Sequence, residues 1–337
     1  TIFEDKKNKR WIGQYISGIS SEGKAIRKSV YGKTQKEVLN KLNEIKYKMN
    51  NDMYVEKNGI ELVKIMEDIR EEKLASNTIS GGQYARLKWT INKIKNSKIG
   101  NMKIQDITKD DIQEFLNSVK DLSDSYIKKL YEQFVQAYRR AEIKKYISYN
   151  PMYEVIKPKS NKQTKVVEAL DIDVQKSFTE YLNKISIEDE PYKNIFLVQM
   201  YMGLRIGEVL ALSKESIDLE NKVLYVKRTL TNDKEFAIIL GNKTKTYSGN
   251  RILPIPEFLV PIFEEQLKYT NENLHNLIFT NNDSYIRTSA INKELKRIFK
   301  EELNVNSKNI STHCLRHTYG TRCIEAGISL PVLQTLM

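Results

Sequence analysis

The sequence predicts a multidomain chain: a small three-stranded β module closed by a helix, then an all-α bundle, then a mixed α+β block that is mostly helical. Three observations carry that expectation. A length of 337 residues exceeds what one ordinary hydrophobic core organises. Two polar stretches, 50–59 and 157–165, read as linkers. Across them the apolar pattern changes from alternation to helical spacing, and then to a mixture of both. The boundaries expected are 1–52, 58–155 and 166–337.

In the first module Trp11, Gly13 and Tyr15 alternate with Ile12, Gln14 and Ile16, the pattern of a strand. A turn-rich stretch, 17–23, leads to a second strand from Lys24 to Tyr31, and Gly32 ends the sheet. Thr34 and Glu37 form a T-x-x-E capping box ahead of Val38, Leu42, Ile45 and Met49 at helical spacing. From Ile60 to about Tyr149 every segment reads as helix, at 60–74 and 78–96 and then twice more. Thr108 with Asp111 caps the third, which carries Ile112, Phe115, Leu116 and Val119. Ser123 or Asp124 opens the fourth. One face holds Ile127, Leu130, Phe134 and Ala141, and the other Lys128, Lys129, Arg139, Arg140, Lys144 and Lys145, until Asn150-Pro151 stops it. The third block reads as helices near 171–185 and 191–212, strands near 222–229, 236–241 and 250–255, and helices near 257–268, 288–303 and 312–326.

Charge narrows the partner. Lys and Arg number 55 against 43 Asp and Glu, a net charge of +12, and residues 1–52 hold 12 Lys/Arg against 6 Asp/Glu, half of the excess. Such an excess suggests a polyanion, although a basic but solvated surface would look the same by composition. A β-ribbon of this width suits a DNA major groove, which makes Trp11, Tyr15, Arg27 and Lys28 candidates. Lys128, Arg139, Arg140 and Lys144 on the fourth helix, with Lys159 and Lys162 in the second linker, are candidates for phosphate contact. No run approaches the ~18 apolar residues of a membrane span, and no signal-like start is present, so no membrane is expected as partner. Cys314 and Cys323 make neither a disulfide framework nor a CxxC pair, and His275, His313 and His317 add no zinc spacing. No metal and no cofactor are expected.

Three sites in the last block carry chemistry. In Gly203-Leu204-Arg205-Ile206-Gly207-Glu208 the arginine follows one apolar helix and begins another, and Glu208 lies one turn on, where it can orient the guanidinium. In 243–255, lysines precede a Ser-Gly-Asn turn flanked by two strands, and a hairpin lysine of lowered pKa can act as a general acid. In Thr312-His313-Cys314-Leu315-Arg316-His317, His313 and Arg316 share a face at a helix N-terminus, where an anion is favoured, while Leu315 and Tyr319 can face the core. Each alone has a bland reading as surface ion pair, solvated hairpin or structural histidine.

The order Arg-x-x-Glu, hairpin lysine, His-x-x-Arg resembles the catalytic block of tyrosine recombinases. The words G-L-R-I-G-E-V-L-A-L, K-T-x-x-G-x-R-x-L-P-I and H-C-L-R-H-T are similar to those of integrases carried by phages and conjugative transposons. The likeness extends over nearly the whole chain: 1–52 resembles an arm-type DNA-binding module, 58–155 a core-binding domain and 166–337 the catalytic domain. It implies a transesterification without metal, in which a tyrosine attacks the scissile phosphate and leaves a 3′-phosphotyrosyl link and a free 5′-hydroxyl. Arg205 and Arg316 would bind the non-bridging oxygens, Lys245 would protonate the leaving oxygen, His313 would assist proton transfer and Glu208 would support from behind. Lys243 is the fallback for the lysine role. The partners implied are duplex DNA at core-type and arm-type sites, further copies of the chain in a tetramer on DNA, and an excisionase or host bending protein, all in a bacterial cytoplasm at the nucleoid.

One departure stands out. In the family a Gly-His or Gly-Trp pair and the nucleophilic tyrosine follow the L-Q-x-L helix, and this chain stops at Leu333-Gln334-Thr335-Leu336-Met337. Tyr319 occupies a slot that is a core aromatic in the family, so the nucleophile is expected beyond Met337 and the fragment itself is expected to be incapable of cleavage. A DNA-binding regulatory or architectural protein on the same scaffold is the competing reading. A metal-dependent nuclease is disfavoured, because no Asp/Glu/His cluster accompanies the arginines.

Overall fold

The computed structural model describes residues 1–337 apart from 20–21, 51–53, 56–57, 164–167, 242–249, 274 and 282–283. The chain divides into two compact units, Thr1–Glu72 with Lys88–Lys162, and Lys73–Leu87 with Gln163–Met337.

The first unit begins with an antiparallel meander of β1 (Ile2–Asp5), β2 (Arg10–Ile19) and β3 (Ala25–Gly32). Trp11 pairs with Gly32, Gly13 with Val30 and Tyr15 with Lys28, and a bulge interrupts the register between Ile16 and Gly18. Helix α1 (Gln35–Asn50) lies against the face that carries Gly13. A Cβ at Gly13 would come within 2.5 Å of Val38 Cγ1, so the absent side chain is what lets the helix approach. At the helix start the Glu37 amide donates to Thr34 Oγ1 at 3.2 Å. The Glu37 carboxylate accepts from the Lys33 amide rather than from that of Thr34, a variant of the expected capping box.

In the same unit α2 (Leu62–Ala75) up to Glu72, α3 (Gly81–Lys95) from Lys88, α4 (Lys109–Ser118) and α5 (Asp124–Ile143) supply the residues of one core. Leu62, Met66, Ile91, Ile112, Leu130 and Phe134 are fully buried in it. Thr108 caps α4 as expected: its hydroxyl accepts from the Asp111 amide and its own amide donates to the Asp111 carboxylate at 2.9 Å. Described residues of the first linker are tied down on both sides. The Tyr54 hydroxyl bonds that of Tyr15 at 2.7 Å, and the Asn58 amide donates to Gln105 Oε1 at 3.0 Å. The second linker follows the α4–α5 connection, where the Asn161 amide donates to the Lys120 carbonyl and Lys157 pairs with Asp124.

Among its described residues the second unit contains α6 (Ile172–Lys184), α7 (Lys193–Met202), the four-residue α8 (Ile206–Val209) and five short strands: β4 (Ile217–Asp218), β5 (Val223–Val226), β6 (Thr229–Asn232), β7 (Ile238–Gly241) and β8 (Arg251–Pro254). Helices α9 (Val260–Tyr269), α10 (Thr288–Arg297), α11 (Thr312–Glu325) and α12 (Leu330–Leu336) follow. The segment expected as one helix over 191–212 is broken at Gly203, which takes φ +64°.

The strands correct one expectation. The two strands flanking 242–249 do not form a hairpin with each other: β7 pairs with β6, whereas β8 pairs with β5 in the sheet β4-β5-β8. The physical reason is local closure. The Asp233 carboxylate accepts from the amides of Glu235 and Ala237 and turns β6 directly into β7, leaving β8 to reach back to the free edge of β5.

Candidate active site

The second unit gathers Arg205, Glu208, Arg251, His313 and Arg316 around the breaks in its helices. Gly203 ends α7, and Arg205 is the N-cap residue of α8 with Glu208 at the third position. Glu208 is 2% exposed and accepts from Arg205 twice, through the Arg205 amide at 3.0 Å and through Nη1 at 3.0 Å. Its other cationic partner is Arg251, the first residue of β8, whose Nη2 donates to Glu208 Oε2 at 2.8 Å. Burial alone would raise the Glu208 carboxyl. The hydrogen bond and charge of Arg251, followed by the contacts with Arg205, hold it below the usual carboxylate range.

Helix α11 packs along α7 and brings Arg316 beneath Gly203. Arg316 Nη1 donates to the Gly203 carbonyl, and Nη2 donates to the Met337 carbonyl at 2.6 Å. Arg205 Nη1 donates to that same Met337 oxygen at 3.1 Å. Two guanidinium groups from different elements therefore come close enough to share one acceptor. Burial first, then Arg205 and Arg251, push the Arg316 pKa down to about 10, so it stays charged at neutral pH. Three guanidinium groups face one carboxylate here, a surplus of positive charge that suits a phosphate.

His313 is exposed at the start of α11, one turn before Arg316, and its ring meets that of His317 edge-on at 4.6 Å between centroids. Burial, then His317, Arg316 and Arg205, lower its pKa, so the imidazole is neutral at pH 7 and free to take or pass a proton. Asn292 of α10 caps α11 from outside by accepting from the Thr312 amide at 2.8 Å. Tyr319 packs its ring against Gly203, where an added Cβ would lie 2.2 Å from Tyr319 Cδ1. Burial, then Cys323 beside it, push its hydroxyl up to about 12. Lys243 and Lys245 lie outside the described residues. Both cysteines are free and buried, and among the described residues no three of His, Cys, Asp and Glu gather to hold a metal. Among the same residues no helix is long and apolar enough to cross a membrane.

The candidates of the first unit fall apart into several groups. Trp11, Tyr15 and Lys28 share the sheet face that α1 covers, because they alternate in register with Gly13 and Val30. Tyr15 is engaged there with Tyr54, and burial followed by that hydrogen bond pushes its hydroxyl up to about 12. Arg27 alone of the four lies on the open face, cross-strand from Ile16. The open face also carries Phe3, Arg10, Ile12 and Tyr31, with the Arg10 guanidinium 4.4 Å from the Tyr31 ring centroid and paired with Asp5. Sequence reasoning missed this set. The signal was there in Gly13 and Gly32, since a strand glycine marks the side a neighbour approaches. On α5, Lys128 and Arg139 are exposed, but Arg140 is held by Glu72 through a two-pronged pair at 2.6 and 2.5 Å. Lys144, Lys159 and Lys162 are exposed.

Comparison with known proteins adds an independent line. The phage integrase family matches residues 168–337, and the N-terminal SAM-like domain of phage integrases matches 75–120. A tyrosine recombinase XerC-like protein of Caldanaerobacter subterraneus subsp. tengcongensis is 28% identical over 95% of this chain and 86% of its own length. The integrase of Staphylococcus phage L54a is 26% identical over 86% of this chain and 88% of its own. Among solved structures, the Tn1549 transposon integrase in complex with a circular intermediate DNA superposes with a TM-score of 0.69 at 18% identity, covering 82% of this chain and 91% of that one. That likeness speaks for a shared fold.

Proposed function

The chain belongs to the phage integrase family, and from that premise we propose that it is the body of a site-specific tyrosine recombinase that cleaves and rejoins DNA during integration and excision of a mobile element. The observation that supports this reading is the gathering of the Arg205, Arg251 and Arg316 guanidinium groups about the single buried carboxylate of Glu208. In the reaction, a tyrosine hydroxyl forms a bond to phosphorus while the bond to the 5′-oxygen breaks. The two arginines hold the non-bridging oxygens as negative charge grows on them, a task for fixed donors. His313, neutral and beside Arg316, passes a proton, and Lys245, with Lys243 as fallback, protonates the departing 5′-oxygen.

The domains proposed are an arm-binding module over 1–52, a core-binding domain over 58–155 and the catalytic domain over 166–337. For the first of these the open face led by Arg27 is the better candidate for DNA than Trp11, Tyr15 and Lys28, since α1 covers the other side. Assembly as a tetramer on DNA and cooperation with an excisionase or bending protein belong to the same reading. In this reading the nucleophilic tyrosine lies outside Thr1–Met337, as the likeness to tyrosine recombinases implies.

The test is a nicked core-site substrate that traps the covalent complex. The chain continued to its native C-terminus should form a 3′-phosphotyrosyl adduct, and Thr1–Met337 should bind the same DNA without one. An adduct from Thr1–Met337 would redirect attention to Tyr319. Binding without an adduct from the extended chain would favour a regulatory DNA-binding protein instead.

A further inference from the structure

We propose that Arg251 is a positioning residue for strand cleavage, acting through Glu208 on Arg205; the proposal rests on the recombinase reading above. Glu208 bridges two arginines of opposite character. The Arg205 side chain is 59% exposed, whereas that of Arg251 is 6% exposed. Arg205 is thus the end that can meet DNA, and Arg251 is the interior partner that holds the carboxylate between them.

The electrostatics assign the same roles. A carboxylate as buried as Glu208 is driven towards its protonated form, and Arg251 supplies the largest opposing contribution, ahead of Arg205. Without Arg251 the carboxyl would take up a proton more readily. It would then accept fewer hydrogen bonds and lose its charge, so the Arg205 guanidinium would no longer be fixed over the anion site. Arg251 also ties elements together: its Nε donates to the Leu336 carbonyl on α12 at 3.0 Å while Nη2 holds Glu208 on α8. One planar, forked donor does this, and a lysine reproduces only one arm of it.

The test uses the chain continued to its native C-terminus, with single-turnover cleavage of a nicked core site and DNA affinity measured separately. Arg251→Ala should lower cleavage on the order of 100-fold, the scale of a small misplacement of a catalytic group, with core-site affinity retained. Arg251→Lys should recover part of the rate. The loss in Arg251→Ala should deepen as the pH falls, because burial without its partner drives the Glu208 carboxyl towards its protonated form, while the parent changes less. In a Glu208→Gln background, Arg251→Ala should add little further loss. Parental cleavage by Arg251→Ala, a loss equal at every pH and not improved by lysine, or a full additional loss in the Glu208→Gln background would each overturn the proposal. Far-UV circular dichroism of each variant separates these outcomes from misfolding, which Arg251→Lys is chosen to avoid. If the parent itself forms no adduct, the recombinase reading falls and takes this one with it.

Discussion

Arg316 illustrates how a single residue can be committed to one task by its surroundings. It is 8% exposed, its Nη1 is bound to the Gly203 carbonyl, and the charge of Arg205 and Arg251 beside it is unfavourable. Under the recombinase reading, an arginine held in that setting is available to an incoming phosphate. Arg205 differs by being exposed and by leaning on Glu208. Arg205→Ala and Arg316→Ala, made in the extended chain, are each expected to slow cleavage by about 3–4 kcal/mol of transition-state stabilisation, the loss of one preorganised donor. DNA affinity should change far less, since many phosphate contacts share the binding. Cleavage and affinity measured side by side check this, and parallel losses of the two would count against a transition-state role.

At the scale of elements, the α7–α8 break decides whether the site exists. Gly203 takes a left-handed backbone with the Tyr319 ring in the space a side chain would need, and its carbonyl receives Arg316. Gly203→Ala should therefore cost on the order of 2–4 kcal/mol from backbone strain and overpacking together, read as a lowered denaturation midpoint. A second element-level prediction concerns the α6–α7 connection and α10. Glu190 is 1% exposed beside Glu294, and one guanidinium, Arg297, is shared among Glu190, Glu294 and Glu302. Burial, then the charge of Glu294, push the Glu190 carboxyl up to about 7. A raised carboxyl means that the folded chain binds more protons than the unfolded one between about 4.5 and 7. Stability contributed by protonated Glu190 is thus present at the acid end and lost as the pH rises through 7. Glu190→Gln should flatten that slope and raise the melting temperature at pH 8 relative to the parent, with the difference vanishing near pH 4.5. A thermal melt series across pH measures it, and an unchanged slope would sink the assignment.

For the whole molecule the governing fact is a charge of +12, half of it carried by residues 1–52. Binding of duplex DNA should be strongly salt-dependent, falling by roughly 10³–10⁵ between 50 and 200 mM salt for about 6–10 phosphate contacts. Arg27→Ala in the intact chain should weaken binding to arm-type sites and reduce the salt slope by about one, while leaving core-type sites unaffected. Lys28→Ala, on the covered face, should do less at both. Titrations at several salt concentrations distinguish the two faces, and a larger effect from Lys28 than from Arg27 would reverse the assignment of the DNA-binding side.

By itself the sequence determined whatever depends on neighbours a few residues apart. The Thr108–Asp111 cap, the alternation over residues 11–16, the apolar stripe of α5 and the Arg205–Glu208 pair are all local, and helix or strand geometry delivers them once the residue types are in place. The tertiary structure decided the rest. Alternation shows that a sheet has two faces but not which one is covered, and here the missing Cβ at Gly13 admits α1 on the side of Trp11 and Tyr15. Lysines and arginines on a helix are legible as charge, but only the packing of α2 against α5 reveals that Glu72 has already claimed Arg140. The pairing of β8 with β5, and with it the arrival of Arg251 at a carboxylate 43 positions away, depends on which distant edge remains open after β6 and β7 have closed on each other. Such contacts arise from competition among long-range pairings, whose outcome no short window of sequence contains.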